Sequence, residues 1–234
     1  MLDDCNLITA CVGRWDSFLR VLPTWQRSFL PERMFVAVAP WDHMPKEAQG
    51  LNLVEVQHGQ FSLGLWLNKA YEASLEAQSG FTWKIDVDMV LEDPGALEFH
   101  THSAESDEFV LACEVPGIGN DKPWDQRVMG MTGTVGFPTE VLGMVGGYEA
   151  RLHNWGLDDV VLYREWIELG MTPRVVDAFL HVQHDDRTRT QNYEVKDLRM
   201  SIGHNRKEMA RLDPTGREEF WRPIGFNVIG RAPE

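Results

Sequence analysis

Apolar positions along the chain alternate between two rhythms. Asn6 to Val12 (Asn-Leu-Ile-Thr-Ala-Cys-Val) is a near-continuous apolar run that stops at Gly13-Arg14, the pattern of a strand buried on both faces. From Trp15 to Ser28, Phe18, Leu19, Leu22 and Trp25 recur at helical spacing, with a kink expected at Pro23. Met34 to Ala39 reads as a second strand, ended by Pro40, and Leu53 to Gln57 as a third. Ser62 to Ala77 sets Leu63, Leu67, Ala70, Tyr71 and Leu75 along one side of an amphipathic helix. Phe81 to Leu91 returns to a period of two, with Trp83, Ile85, Val87 and Met89 on one side and Lys84, Asp86 and Asp88 on the other. The alternation predicts an α/β fold whose sheet is parallel at least in its first half. Ligands of such sheets collect at the carboxyl ends of the strands. Arg14 and the Asp86/Asp88 pair are both expected there.

The second half is less regular. Asp107 to Val115 and Arg127 to Val135 read as strands, with a Gly-, Asp- and Pro-rich loop between them over Gly117 to Asp125. Pro138 suits the first position of a short helix, Thr139 to Val145, which Gly146-Gly147 closes. Asp158 to Leu169 is a second helix, opened by two acids and closed by Gly170, and Arg174 to His181 is a late strand. Ser201 to Glu234 mixes charges with Phe220, Trp221, Phe226, Val228 and Ile229, and is read as an extension packed on the domain. With no repeat or linker, the 234 residues are read as a single domain: 1–91, 92–200 and the extension 201–234.

Composition narrows the partners. Lys and Arg number 22 against 36 Asp and Glu, a formal charge of −14, which argues against nucleic acid or an anionic membrane. A phosphate-bearing ligand would therefore need local positive charge, from a few Arg or Lys residues or a metal. The start, Met-Leu-Asp-Asp-Cys, lacks the basic and apolar regions of a signal peptide, and no apolar run is long enough for a transmembrane segment. Three cysteines without Cys-x-x-Cys spacing suit a reducing compartment, so a cytoplasmic protein is expected. Nine tryptophans are mostly core material, although the flat ring face also stacks on sugars.

Three clusters carry candidate chemistry. On one face of a strand, Asp86 and Asp88 would lie roughly 6–7 Å apart. Two such carboxylates repel unless water or a cation intervenes, so a solvated strand edge and a divalent-metal site both accommodate them. Asp158 and Asp159 fall in a helix's first turn, where the dipole and capping favour acids. The preceding Trp155-Gly156 makes an open apolar shelf beside a carboxylate, which suits a sugar whose hydroxyl needs a general base. In His181-Val-Gln-His184 the two imidazoles would point to opposite faces of a strand and converge only if the chain turns. Arg187 and Arg189 either neutralise Asp185 and Asp186 or close over a diphosphate.

Taken in order, Lys-Ile-Asp-Val-Asp-Met, Gly-Thr-Val-Gly-Phe-Pro (Gly133 to Pro138), Gly-Gly-Tyr-Glu, Trp-Gly-Leu-Asp-Asp and Tyr163-Arg164 resemble glycosyltransferases of the GT-A fold. The resemblance runs over roughly residues 4 to 190 and is to the galactosyl- and N-acetylgalactosaminyltransferase type, bacterial chondroitin-synthase-like polysaccharide enzymes included. It implies a mixed, mostly parallel sheet flanked by helices, with a donor-binding half followed by an acceptor half. Asp88 would bind the metal and Asp86 approach the donor's ribose. Asp159 matches the general base of inverting members. Asp158 stands where Glu is usual, one methylene shorter. Thr9 and Arg14 match the nucleotide-holding loop after the first strand, and Asn68 a helix position bordering the nucleotide. His184 and His181 match late metal ligands, Arg187 and Arg189 would reach the diphosphate, and Gly146, Gly147, Trp155 and Gly156 would line the substrate. Imidazole among oxygen ligands favours Mn²⁺ over Mg²⁺. The expected activity is metal-dependent, inverting transfer of a hexose or N-acetylhexosamine from a UDP-sugar to a hydroxyl of a glycan or small molecule. Retaining transfer, a metal-dependent hydrolase or phosphoesterase, and a silent nucleotide-sugar-binding module are the alternatives. Asp-Asp rather than Glu-Asn favours inversion.

Overall fold

The computed structural model describes residues 1–40, 43–57, 61–114, 133–154, 156–182 and 194–212. Its strands are β1 (Cys5–Cys11), β2 (Met34–Val38), β3 (Asn52–Glu55), β4 (Phe81–Lys84), β5 (Met89–Leu91), β6 (Glu108–Glu114), β7 (Val135–Pro138) and β8 (Thr172–His181). Among the described residues these form one sheet in the order β3-β2-β1-β4-β7-β6-β8-β5. The β3-β2-β1-β4 half is parallel throughout, as the alternating pattern predicts. The other half is mixed: β7 runs antiparallel to β4 and β6, β6 and β8 are parallel, and β5 is antiparallel to β8.

The described residues include six helices, α1 (Trp15–Trp25), α2 (Leu63–Ser74), α3 (Pro94–Ser103), α4 (Thr139–Met144), α5 (Asp158–Glu168) and α6 (Leu198–Leu212), of which α6 packs through Met209 against Leu152 and Val161. Burial on both faces follows from the two-residue period of the strands. Leu7, Val36, Trp83 and Val110 pack against Phe18, Leu22 and Trp25 of α1 and Leu97 of α3. Their neighbours Ile8, Phe35, Phe109 and Phe137 face Trp66 and Leu67 of α2, Leu142 of α4 and Trp166 of α5. The result is a three-layer α/β/α sandwich.

The reading of residues 81–91 as one strand is corrected. The chain leaves the sheet after Lys84, Met89 N–H donates to the Asp86 carbonyl at 3.0 Å, and β5 forms on the far edge against β8. That edge is covered by α1: Trp25 Nε1 donates to the Met89 carbonyl at 2.7 Å and Leu91 N–H to Thr24 Oγ1 at 3.1 Å. Covering β5 this way satisfies ladder groups that a bare edge would leave open. Of the expected strand over 127–135, residues 127–132 lie outside the described ones, and the described β7 runs Val135–Pro138. Pro138 ends β7 and caps α4 rather than opening it. Of the extension, residues up to 212 form most of α6.

Candidate functional site

The turn between β4 and β5 separates the two acids. Instead of sharing a strand face, Asp86 and Asp88 have different partners. Asp88, 5% exposed, receives Arg14 Nη2 on Oδ2 at 2.7 Å, and His181 Nε2 lies 3.7 Å from the same oxygen. Arg14 comes from the N-cap of α1, just past β1, and His181 from the end of β8. Val182 N–H donates to the Asp88 carbonyl at 2.7 Å, which fixes the end of β8 beside the turn. Three strand ends thus meet at one carboxylate.

Asp86 turns toward Lys84 and Gly133. Lys84, the last residue of β4, is 1% exposed, and its Nζ reaches Asp86 Oδ1 at 2.7 Å, the Gly133 carbonyl at 2.7 Å and Asp159 Oδ1 at 3.4 Å. A Cβ on Gly133 would sit 1.9 Å from Asp86 Oδ2, so only glycine admits the carboxylate there. Burial works against the Lys84 charge, but the Asp159 and Asp86 carboxylates outweigh it and hold its pKa above the ordinary lysine value. Burial pushes the Asp159 carboxyl up to about 6, with Lys84 opposing and Asp86 adding to the rise. Asp158 goes further, to about 8, through burial and then the charge of Asp159. A helix N-terminus alone would favour both anions. Burial prevails, so both carboxyls lie above the ordinary carboxylate range, Asp158 further than Asp159.

Behind these acids the chain is held in left-handed conformations. Gly146 and Gly147 have φ of +80° and +89°, and Gly147 approaches Asn68 so closely that a Cβ would lie 2.5 Å from Oδ1. The Asn68 carboxamide is bound at both ends: Tyr148 N–H donates to Oδ1 at 2.7 Å and Nδ2 donates to the Tyr148 carbonyl at 2.9 Å. Asn68 therefore anchors the Gly-Gly-Tyr turn to α2. Tyr148 is 2% exposed, and burial raises its phenol well above the ordinary value. Before α5, Asn154, Gly156 and Leu157 also have positive φ, +63°, +100° and +81°. Leu157 is the costly one, at about 1–3 kcal/mol for a side chain in that region. Asn205 of α6, fully buried, accepts from His153 N–H at 3.2 Å and donates Nδ2 to the Gly156 carbonyl at 2.9 Å.

Sequence reading and structure differ in places. Thr9 is expected in the loop after the first strand, but it lies inside β1, 1% exposed, in register with Val36. Arg14 is in that loop. Trp155, His184, Arg187 and Arg189 lie outside the described residues. Lys84 is seen in the sequence only as a polar neighbour of the acids. Its signal was a lone cation on the acids' side of an otherwise apolar strand. The part played by Asn205 has no local signature.

A divalent cation can be tested against these donors. Ligands roughly 2.1 Å from a metal sit about 3–4 Å apart, and the 3.7 Å between Asp88 Oδ2 and His181 Nε2 falls in that range. A carboxylate with an imidazole suits Mn²⁺. Among the described residues no group of three or more His, Cys, Asp or Glu converges as a metal site, so these two donors make a partial site.

No protein-family model matches the chain, and no curated protein matches it by sequence. Solved structures do. The chain is similar to the catalytic domain of Drosophila beta1,4-galactosyltransferase 7 in complex with xylobiose, with a TM-score of 0.57 and 15% identity over 89% of this chain and 79% of that one. A mutant of that enzyme with manganese, UDP-Gal and xylobiose gives 0.55 and 16% over 88% and 79%. S. aureus TarS in complex with UDP-GlcNAc gives 0.59 and 14% over 90% and 67%. The mannosyltransferase PcManGT from Pyrobaculum calidifontis, in complex with GDP-Man and Mn²⁺, gives 0.55 and 12% over 77% and 56%. At these identities the likeness is one of fold, and the fold is GT-A.

Proposed function

We propose that this GT-A chain is a metal-dependent, inverting glycosyltransferase that moves a hexose or N-acetylhexosamine from a UDP-sugar to an acceptor hydroxyl. The observation that carries the reading is the bridge at Lys84. One buried ammonium touches Asp86 on the strand turn and Asp159 at the start of α5, so a candidate donor side and a candidate base share a single site. Structural neighbours with UDP-Gal, UDP-GlcNAc and GDP-Man support a nucleotide-sugar ligand, and two of them support Mn²⁺.

In this reading Asp159, with a carboxyl near pKa 6, takes the proton of the attacking hydroxyl. Asp158, neutral beside it, leaves the negative charge on one carboxylate and can offer its own O–H to a sugar oxygen. Arg14 supplies positive charge next to Asp88. Asp88 and His181, with His184 from the following segment, would hold the cation. When bound, the cation neutralises charge growing on the departing diphosphate. Trp155 and Gly156 would line the acceptor, and Asp86 would meet the ribose. Arg187 and Arg189 would close on the diphosphate.

Thermal stability followed with UDP or GDP, each with and without Mn²⁺, tests this. A site of this kind gains stability only when nucleotide and metal are both present, by mass action. UDP should outperform GDP. No shift with either nucleotide under any metal removes the transferase reading.

A further inference from the structure

Lys84 is the most deeply buried charged side chain among the described residues. An ammonium so placed is tolerated only when paired and hydrogen-bonded, and its partners are Asp86, Asp159 and the Gly133 carbonyl. Its backbone is pinned on both sides, by β1 through Ile8 and by β7 through Val135. The charge is therefore delivered from the rigid centre of the sheet to the first turn of a helix on its face. Asp159 sits where burial and the Asp86 carboxylate on the turn after β4 both disfavour its anion, and Lys84 is the charge that opposes them.

We propose that Lys84 is a positioning residue that holds the Asp159 carboxylate ionised and aimed, and ties it to the strand turn carrying Asp86. The mechanistic meaning rests on the reading of Asp159 as base; the electrostatic hold does not. With Lys84 removed, burial and the Asp86 charge act on Asp159 with no ammonium to oppose them, and Asp159 must titrate later.

The metal-free chain with ¹³C-labelled Asp carboxyls tests this by NMR. The Asp159 midpoint should rise by about one pH unit or more in Lys84→Met and stay near the native value in Lys84→Arg. Lys84→Gln takes the place of the methionine variant should that one not fold. In transfer assays, Lys84→Met should lose about tenfold of kcat at pH 7 and regain most of it in alkali, with KM for the UDP-sugar little changed. An unmoved Asp159 titration in a folded variant overturns the proposal, as does an equal loss at every pH. If the titration moves but UDP with Mn²⁺ never stabilises the native chain, the hold of Lys84 stands and the transferase reading falls.

Discussion

Arg14 and Asp88 meet because each lies just past a strand of the parallel half-sheet, whose register sets their separation before any side chain acts. The segments flanking Tyr148 and Gly156 reach the same site by another route. Their described residues lie outside the sheet's ladders, and two asparagines distant in sequence, Asn68 on α2 and Asn205 on α6, hold them. One side of the site is thus a by-product of sheet formation. The other depends on a few side-chain amides that satisfy backbone groups no ladder would satisfy. On the proposed function, changes on the loop side should therefore damage acceptor handling while the proposed donor side survives.

The largest expected effect comes from the proposed base. Asp159→Asn keeps the shape and removes the proton acceptor. Transfer should fall by about 10²- to 10⁴-fold, while the Kd for UDP with Mn²⁺ stays within about threefold. Single-turnover transfer beside a binding titration would show it. Retained transfer in this variant would take Asp159 out of the base role, and lost UDP binding would erase the distinction between the two sides.

The same contrast explains what the sequence made legible. Ile8, Phe35 and Phe109 face one layer and Leu7, Val36 and Val110 the other, so a two-residue period with apolar residues on both faces was enough to read the strands and their parallel half. Helices α2 and α5 were equally visible from spacing and end residues. The break after Lys84 was not. Residues 85–88 keep alternating in sequence, while Met89–Leu91 pair with β8 and bond to α1 at the far edge, tertiary contacts that the local pattern does not carry. Periodicity reports which side chains want burial, not which strand they pair with. Asn205 was illegible for a related reason: its worth lies in two backbone groups, at His153 and Gly156, that it meets through tertiary folding alone.

Asn205 is accordingly the place to break the loop side without touching an acid. Asn205→Ala leaves the His153 amide and the Gly156 carbonyl without these bonds, at a cost of about 1–3 kcal/mol in a buried setting. Gly156 already packs so tightly that a Cβ there would stand 3.0 Å from Ile202, so α6 and the loop should loosen together. KM for the acceptor should rise about tenfold while KM for the UDP-sugar holds. Equal increases in both would mean that α6 supports the whole site rather than its acceptor side.

The smallest effect is one of pH on stability, and it sharpens the comparison by setting the native chain against Asp158→Asn. Asp158 has a folded pKa of about 8, raised by burial, against an ordinary carboxylate value near 4 when unfolded. Between those values the native state holds a proton that the unfolded chain has released, so stability must fall as pH rises through that window. The slope from one such group is at most about 1.4 kcal/mol per pH unit. Asp159, at about 6, adds in the same direction over the lower part of the window. Asp158→Asn removes the larger contribution, and its urea-unfolding free energy should change less between pH 6 and pH 8 than that of the native chain. Parallel slopes would mean that Asp158 is ionised in the folded state, and the division of labour between a neutral Asp158 and an anionic Asp159 would go with it.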